Sequence, residues 1–255
     1  MVKLSTSARS PLSPTLWPAD AFLWWRSLAL GLLLVAVVLA ATVGALVLLL
    51  ALNAVPRTAP AALAITWPIV VAQLVTYVPE IAVLTLLLPP LARRPLSALG
   101  VRPPRSSDLI WAAGGAALMV GAAAIVSGAQ EGLFHLKADE VQVQLLRGAH
   151  GSLVAGFVVL ACAAAPIAEE FAFRGFLFNA LLRYLPAWGA ALASAIVFGC
   201  AHYQPGNLGA LAPLAGAGLV LALVYYRSGS LVASMLTHGT FNLVTVVLVL
   251  VFHQK

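Results

Sequence analysis

The chain has 255 residues, of which 62% are hydrophobic and only 9% are charged, and its formal net charge is +6. Soluble globular domains carry about 25% charged residues and about 45–50% apolar ones. The 14 basic and 8 acidic side chains are too few to cover a water-soluble particle of this size. The composition therefore excludes a soluble enzyme, a disordered chain and a nucleic-acid-binding module, and it predicts an integral membrane protein embedded in a lipid bilayer.

Seven apolar segments are the predicted transmembrane helices, because a bilayer core about 30 Å thick requires roughly 20 apolar residues in a helix. The expected fold is thus an all-α polytopic membrane protein with about seven transmembrane helices. No internal repeat is visible, which argues against a secondary transporter. In chain order the predicted segments are 27–52, 63–88, 109–129, 152–182, 187–203, 208–226 and 230–252.

The spans divide the chain into an N-terminal arm (1–26), a first set of helices and loops (27–150) and a C-terminal group of four spans (151–252). The distribution of basic residues predicts the orientation, since cytoplasmic loops retain an excess of Lys and Arg. We expect a cytoplasmic N-terminus and location in the cell membrane. Nine basic residues then lie on the cytoplasmic side and four on the other: Lys3, Arg9, Arg26, Arg93, Arg94, Arg102, Arg105, Arg183 and Arg227 against Arg57, Lys137, Arg147 and Lys255.

Three charged residues fall close together inside the fourth span, where an ionisable side chain costs about 2.5–3.5 kcal/mol and is a functional hypothesis by default. Glu170 and Arg174 stand at i and i+4, so they can neutralise each other on one face. Glu169 points about 100° away, without a partner on its own helix, and is suited to proton transfer. The alternative is a buried ion-pair cluster that only fixes helix packing.

Two histidines lie in later spans, His202 four residues after Phe198, and His238 four residues before Asn242. At about 1.5 Å per residue, Glu169, His202, His238 and Asn242 lie about 14–22 Å from the turn that begins or ends each span. They can therefore share one layer near the middle of the membrane. A carboxylate that takes a proton from water, imidazoles that hold this water or a metal, and an amide that donates to an oxyanion together suit amide hydrolysis.

These patterns resemble the CPBP (CAAX protease and bacteriocin-processing, Abi-like) intramembrane proteases, relatives of the type II CAAX prenyl endopeptidases. The resemblance is carried by EExxxR (Glu169, Glu170, Arg174), FxxxH (Phe198, His202) and HxxxN (His238, Asn242), in that order over residues 151–250. It implies that residues 151–252 form the catalytic core of an endopeptidase acting on a membrane-associated peptide, which is prenylated in the namesake substrates.

The resemblance also implies a role for each site residue. Glu169 would be the water-activating base, with His202 sharing the water, and His238 and Asn242 would stabilise the oxyanion. The pair Glu170 and Arg174 would shape the site. If a divalent metal such as zinc is bound, Glu169, His202 and His238 are its expected ligands, with a water as the fourth.

Two other functions fit the same residues. A non-catalytic membrane scaffold or bacteriocin-immunity-type factor would bind a partner and use the motif residues structurally. A proton-coupled carrier would use Glu80 and Glu169. Glu80 follows Pro79 in the second span, and it is expected either to line the substrate entry or to bond to a neighbouring helix.

Overall fold

The structure is a computed structural model that describes residues 17–51, 66–138, 146, 149–203 and 208–252. Within these ranges the chain forms helices and no strand, which confirms the predicted all-α class. A short 3₁₀ turn, Leu96–Leu99, lies between the second and third helices. The helices are α1 Trp24–Ala51, α2 Trp67–Ala92, α3 Ser106–Phe134, α4 Ser152–Leu182, α5 Ala187–Ala201, α6 Leu208–Ser228 and α7 Leu231–Phe252.

Six of the seven described helices are long and apolar enough to cross a membrane, and α5 is the shorter one. With 15 residues, α5 extends about 22 Å, less than a typical bilayer core. The predicted span 187–203 is thus too long, because the helix ends at Ala201. Its last turn tightens, since the N–H groups of His202 and Tyr203 donate to the carbonyls of Gly199 and Cys200, three residues back.

Helix α6 lies at the centre of the bundle and packs against α3, α5 and α7, while α1 lies at the edge and packs mainly on α2. Half of the most apolar window of α6 is buried, against 6% for α1. The exposed face of α1 consists of large apolar side chains such as Leu32, Val35 and Leu39. A surface of this kind is stable in lipid and not in water, as expected for a membrane protein.

The N-terminal segment before α1 fastens the ends of two helices together. The Phe22 N–H donates to the carbonyl of Leu91 at the end of α2, and the hydroxyl of Tyr184, just beyond α4, donates to the carbonyl of Phe22. The C-terminal ends of α2 and α4 therefore lie at the same end of the bundle. Depths along these two helices can be compared directly from that end.

Helices α4 and α7 approach closely at a glycine. A Cβ atom placed on Gly239 would lie 2.4 Å from the carbonyl oxygen of Cys162, closer than real Cβ atoms come. Only a residue without a side chain lets the two backbones meet here. This contact brings His238, next in sequence to Gly239, against the part of α4 that carries the two glutamates.

Candidate active site

The two glutamates lie on an irregular part of α4. Leu160–Ala164 and Phe171–Phe178 wind as π-helix, and between them Ala165–Glu170 is α-helical. Such segments are rare and are frequently found at functional sites. The change of winding on both sides sets the direction in which Glu169 and Glu170 project into the bundle.

Pro166 follows the first π-helical segment, and the structure provides a substitute for the N–H donor that this proline lacks. The N–H of Ala165 donates to the carbonyl of Leu160, five residues back. The next donor in this register would be Pro166, which has no N–H, so the carbonyl of Ala161 loses its helical partner. The Asn242 amide of α7 donates to this oxygen at 2.7 Å. Asn242 therefore helps to hold the irregular turn, which leaves its second amide hydrogen for the oxyanion role that the resemblance implies.

Glu170 and Arg174 form a fully buried ion pair. Glu170 Oε1 lies 2.9 Å from Arg174 Nη1, and neither side chain is exposed. The other end of the guanidinium donates to the carbonyl of Gly218 on α6 at 2.9 Å. Its carbon lies 4.6 Å from the centre of the Phe198 ring, a cation–π distance. The i, i+4 pairing predicted from the sequence is present, and it also connects α4 to α5 and α6.

Glu170 accepts two further hydrogen bonds, both from α7. His238 Nδ1 lies 2.9 Å from Oε1, and the Ser234 hydroxyl donates to Oε2 at 2.5 Å. A carboxylate can only accept here, so Nδ1 carries the hydrogen and the His238 Nε2 atom points elsewhere. Ser234 was absent from the predicted site. Its position four residues before His238, on the same helix face, is the signal that could have identified it.

Glu169 faces the two histidines. Its Oε2 atom lies 3.7 Å from His202 Nε2 and 3.9 Å from His238 Nε2. Within the described part of the chain no donor forms a hydrogen bond with this buried oxygen. The three residues expected to meet in one layer of the membrane are thus brought together around one carboxylate oxygen.

The orientation of His202 follows from the tightened end of α5. Because the His202 N–H donates to Gly199, the carbonyl of Phe198 is free to accept from the imidazole, and His202 Nδ1 lies 2.8 Å from it. Both imidazoles therefore hold Nδ1 on a fixed acceptor and present Nε2 toward Glu169. This arrangement is typical of histidines that bind a metal or a catalytic water.

The predicted metal ligands Glu169, His202 and His238 are of the right chemical types, since two imidazoles and a carboxylate make a common three-ligand zinc set. Their separations of 3.7 and 3.9 Å exceed the roughly 3.4 Å between ligands of a tetrahedral zinc ion, as bonds of about 2.0–2.1 Å require. No group of three or more His, Cys, Asp or Glu side chains in the described ranges is arranged to hold a metal ion. Metal binding stays a prediction.

Residues 150–244 match the family model described as Type II CAAX prenyl endopeptidase Rce1-like. No curated protein and no solved structure matches the chain. The matched stretch begins just before α4 and ends inside α7, so it contains all six predicted site residues: Glu169, Glu170, Arg174, His202, His238 and Asn242. The predicted resemblance to the CPBP and CAAX prenyl protease family is confirmed over this part of the chain.

Proposed function

We propose that the protein is an intramembrane endopeptidase that hydrolyses a peptide bond of a membrane-associated substrate, with a CAAX-type, prenylated peptide as the expected class. The observation that supports it most is the pair of Nε2 atoms directed at one Glu169 oxygen, 3.7 and 3.9 Å away. These gaps are too long for direct hydrogen bonds, and a water lying beside the three atoms can contact all of them. The family match over residues 150–244 points to the same chemistry.

In the proposed reaction Glu169 acts as general base. Glu169 takes a proton from a water that His202 Nε2 orients, and the oxygen of this water attacks the carbonyl carbon of the scissile amide. The tetrahedral intermediate collapses when the C–N bond breaks, and the leaving nitrogen receives the proton held by Glu169. The products are a carboxyl terminus and an amine, and Glu169 returns to its ionised form.

The role proposed for His238 depends on Glu170. The carboxylate holds His238 Nδ1 at 2.9 Å and compensates the positive charge of a ring that enters the reaction with a hydrogen on each nitrogen. His238 Nε2 then donates to the oxyanion, together with the Asn242 amide. Arg174 balances the negative charge of Glu170. Glu170 acts on the reaction through His238, so neither Glu170 nor Arg174 needs to contact the substrate.

A zinc ion would be held by Glu169, His202 and His238. When bound, it would lower the pKa of the attacking water and polarise the scissile carbonyl. In either case Phe198 and Glu170 orient the imidazoles through Nδ1, but with zinc bound His238 would be a ligand through Nε2 and the oxyanion would rely on Asn242 and the metal. Metal analysis of the purified protein and of its His202→Ala variant measures this separately from activity, and loss of bound zinc in the variant is the expected result.

The direct test uses the full chain in proteoliposomes with a fluorogenic farnesylated CaaX peptide. Glu169→Gln, His202→Ala and His238→Ala are each expected to lower kcat by about 10²–10⁴, the usual contribution of general acid–base groups. Matched controls are Glu131→Gln and His135→Ala, which change an exposed acid and an exposed histidine at the end of α3. Retained proteolysis in any site variant would refute the assignment.

The scaffold or immunity alternative predicts a different outcome. A Glu169→Gln variant that folds, cleaves nothing and still restores a cellular phenotype would favour it over the enzyme.

Comparing the membrane proteome of cells carrying wild-type protein with that of cells carrying Glu169→Ala would identify the natural substrate as the protein that loses a cleaved terminus.

A further inference from the structure

Apart from Glu169 and Glu170, Glu80 is the acid that lies away from the first and last turns of the described membrane-spanning helices, and it lies at the depth of the site. It is 12 residues before Ala92 on α2, about 18 Å from that end of the bundle, while Glu169 is 13 residues before Leu182, about 20 Å from the same end. The hydrogen bonds of Phe22 to the ends of both helices establish this common reference. Glu80 and Glu169 therefore lie in the same layer.

Helix α2 packs along the length of α4, and the face that it turns toward α4 has both polar and apolar residues. Leu84 and Leu88 are buried on this face, whereas Val71, Val75 and Val78 on the opposite face are exposed. Tyr77 and Glu80 precede the buried leucines at helical spacing, on the inward side. The inward face of α2 is thus polar at the level of Glu169 and apolar toward its C-terminal end.

Two observations connect this polar part of α2 with the site. Tyr77 and Glu80 both lie close enough to Glu169 to interact with its charge. Tyr77 is hydrogen-bonded to the Gln73 side chain, but in the described ranges Glu80 makes neither a hydrogen bond nor an ion pair, although it is largely withdrawn from the surface. An acid that bonded to a neighbouring helix would have such a partner, so the structure favours the first of the two roles expected from the sequence, which is to line the substrate entry.

On this basis, and resting on the proposed function, we propose that Glu80 binds the substrate: its carboxylate accepts a hydrogen bond from a backbone N–H of the peptide near the scissile bond. An extended peptide inside the bilayer needs partners for all its backbone groups. In the proposed reaction α7 supplies donors to the carbonyl side through His238 and Asn242, and α2 supplies the acceptor for the N–H side. Tyr77 forms the same wall and lies one turn away from Glu80.

The test is a double cycle between enzyme and substrate. A farnesylated CaaX peptide is compared with a series in which each backbone amide in turn is replaced by an ester, which removes one N–H at a time. With the wild-type enzyme, one peptide of the series, whose ester is not at the scissile bond, is expected to have a KM about tenfold or more above that of the parent peptide. This factor corresponds to the loss of a hydrogen bond to a charged group. Glu80→Leu is expected to raise KM for the parent peptide by a similar factor with little change in kcat, and that ester should then cost less than about twofold more.

Glu80→Gln keeps a carbonyl acceptor and should recover part of the affinity. Val78→Leu, on the lipid-facing side of α2, is the control for changes to the helix itself. The proposal would be overturned if the effects of Glu80→Leu and of every ester on KM were independent, so that each ester raised KM by the same factor in the variant as in the wild type. It would also be overturned if Glu80→Leu lowered the thermal stability and left KM unchanged, which would indicate a packing role.

Failure of the proposed function gives a different pattern. If wild-type protein cleaves none of these peptides, the same cycle is run on the dissociation constants of the labelled peptides. Coupling between Glu80 and one N–H would then support the α2 wall in a binding protein. Absence of any binding would overturn both proposals.

Discussion

An Arg174→Met substitution removes the cation from a carboxylate that has no access to solvent. Glu170 and Arg174 are both fully buried and 2.9 Å apart. Breaking one side of a buried ion pair costs about 3–5 kcal/mol, because the remaining charge is left uncompensated. We expect the free energy of unfolding to fall by this amount, measured by SDS titration in mixed micelles. The double variant Glu170→Gln/Arg174→Met should lose less than the sum of the single variants, with a coupling energy of about 1–3 kcal/mol.

The chain contains a matched control at its surface. Arg93 and Asp20 form an ion pair of 3.3 Å, but their side chains are 55% and 44% exposed. Exposed pairs contribute about 0–1 kcal/mol, so Arg93→Met should leave stability almost unchanged. If Arg174→Met costs no more than Arg93→Met, the idea that burial makes the internal pair essential is wrong. Strictly additive single variants would show that the two charges do not stabilise each other.

Two further predictions concern the contact between α4 and α7. Gly239→Ala places a Cβ 2.4 Å from the Cys162 carbonyl oxygen, so it should lower the free energy of unfolding by about 1–3 kcal/mol. The control is Gly121→Ala, which should be tolerated because nothing lies within 4 Å of the added Cβ. Equal thermal stability of the two variants would contradict the close packing of α4 and α7. Asn242→Ala leaves the Ala161 carbonyl without its side-chain donor and should lower the free energy of unfolding by about 1–3 kcal/mol. Unchanged stability together with lost activity would instead show that Asn242 acts in the reaction alone.

The sequence predicts the membrane-spanning helices well because their signal is local. An apolar run in a bilayer must be helical, whatever its neighbours do. The i, i+4 relation of Glu170 and Arg174 is local in the same sense, and the pair is present. The convergence of Glu169, His202 and His238 could also be predicted, because depth along each span depends only on counting residues from its end.

The features that escape prediction depend on particular hydrogen bonds. The early end of α5 escapes it because the last turn tightens to hydrogen bonds three residues back, which apolar composition does not encode. The contact of Asn242 with Ala161 follows from the missing N–H of Pro166, but only the packing shows which helix supplies the replacement donor. Ser234 lies one turn before His238, but its hydrogen bond to Glu170 is evident only when α7 is placed beside α4.

The two adjacent glutamates argue against a purely structural reading of the cluster. Glu170 satisfies both of its oxygens with Arg174, His238 and Ser234, and these contacts already join α4 to α7. A packing device would be complete with this residue alone. Glu169 bears a second charge at the same depth, and in the described ranges its Oε2 has no hydrogen-bond donor, so it costs stability without fixing a helix. Such a cost is explained when the free oxygen acts on something that enters the site, which is the condition a general base must meet.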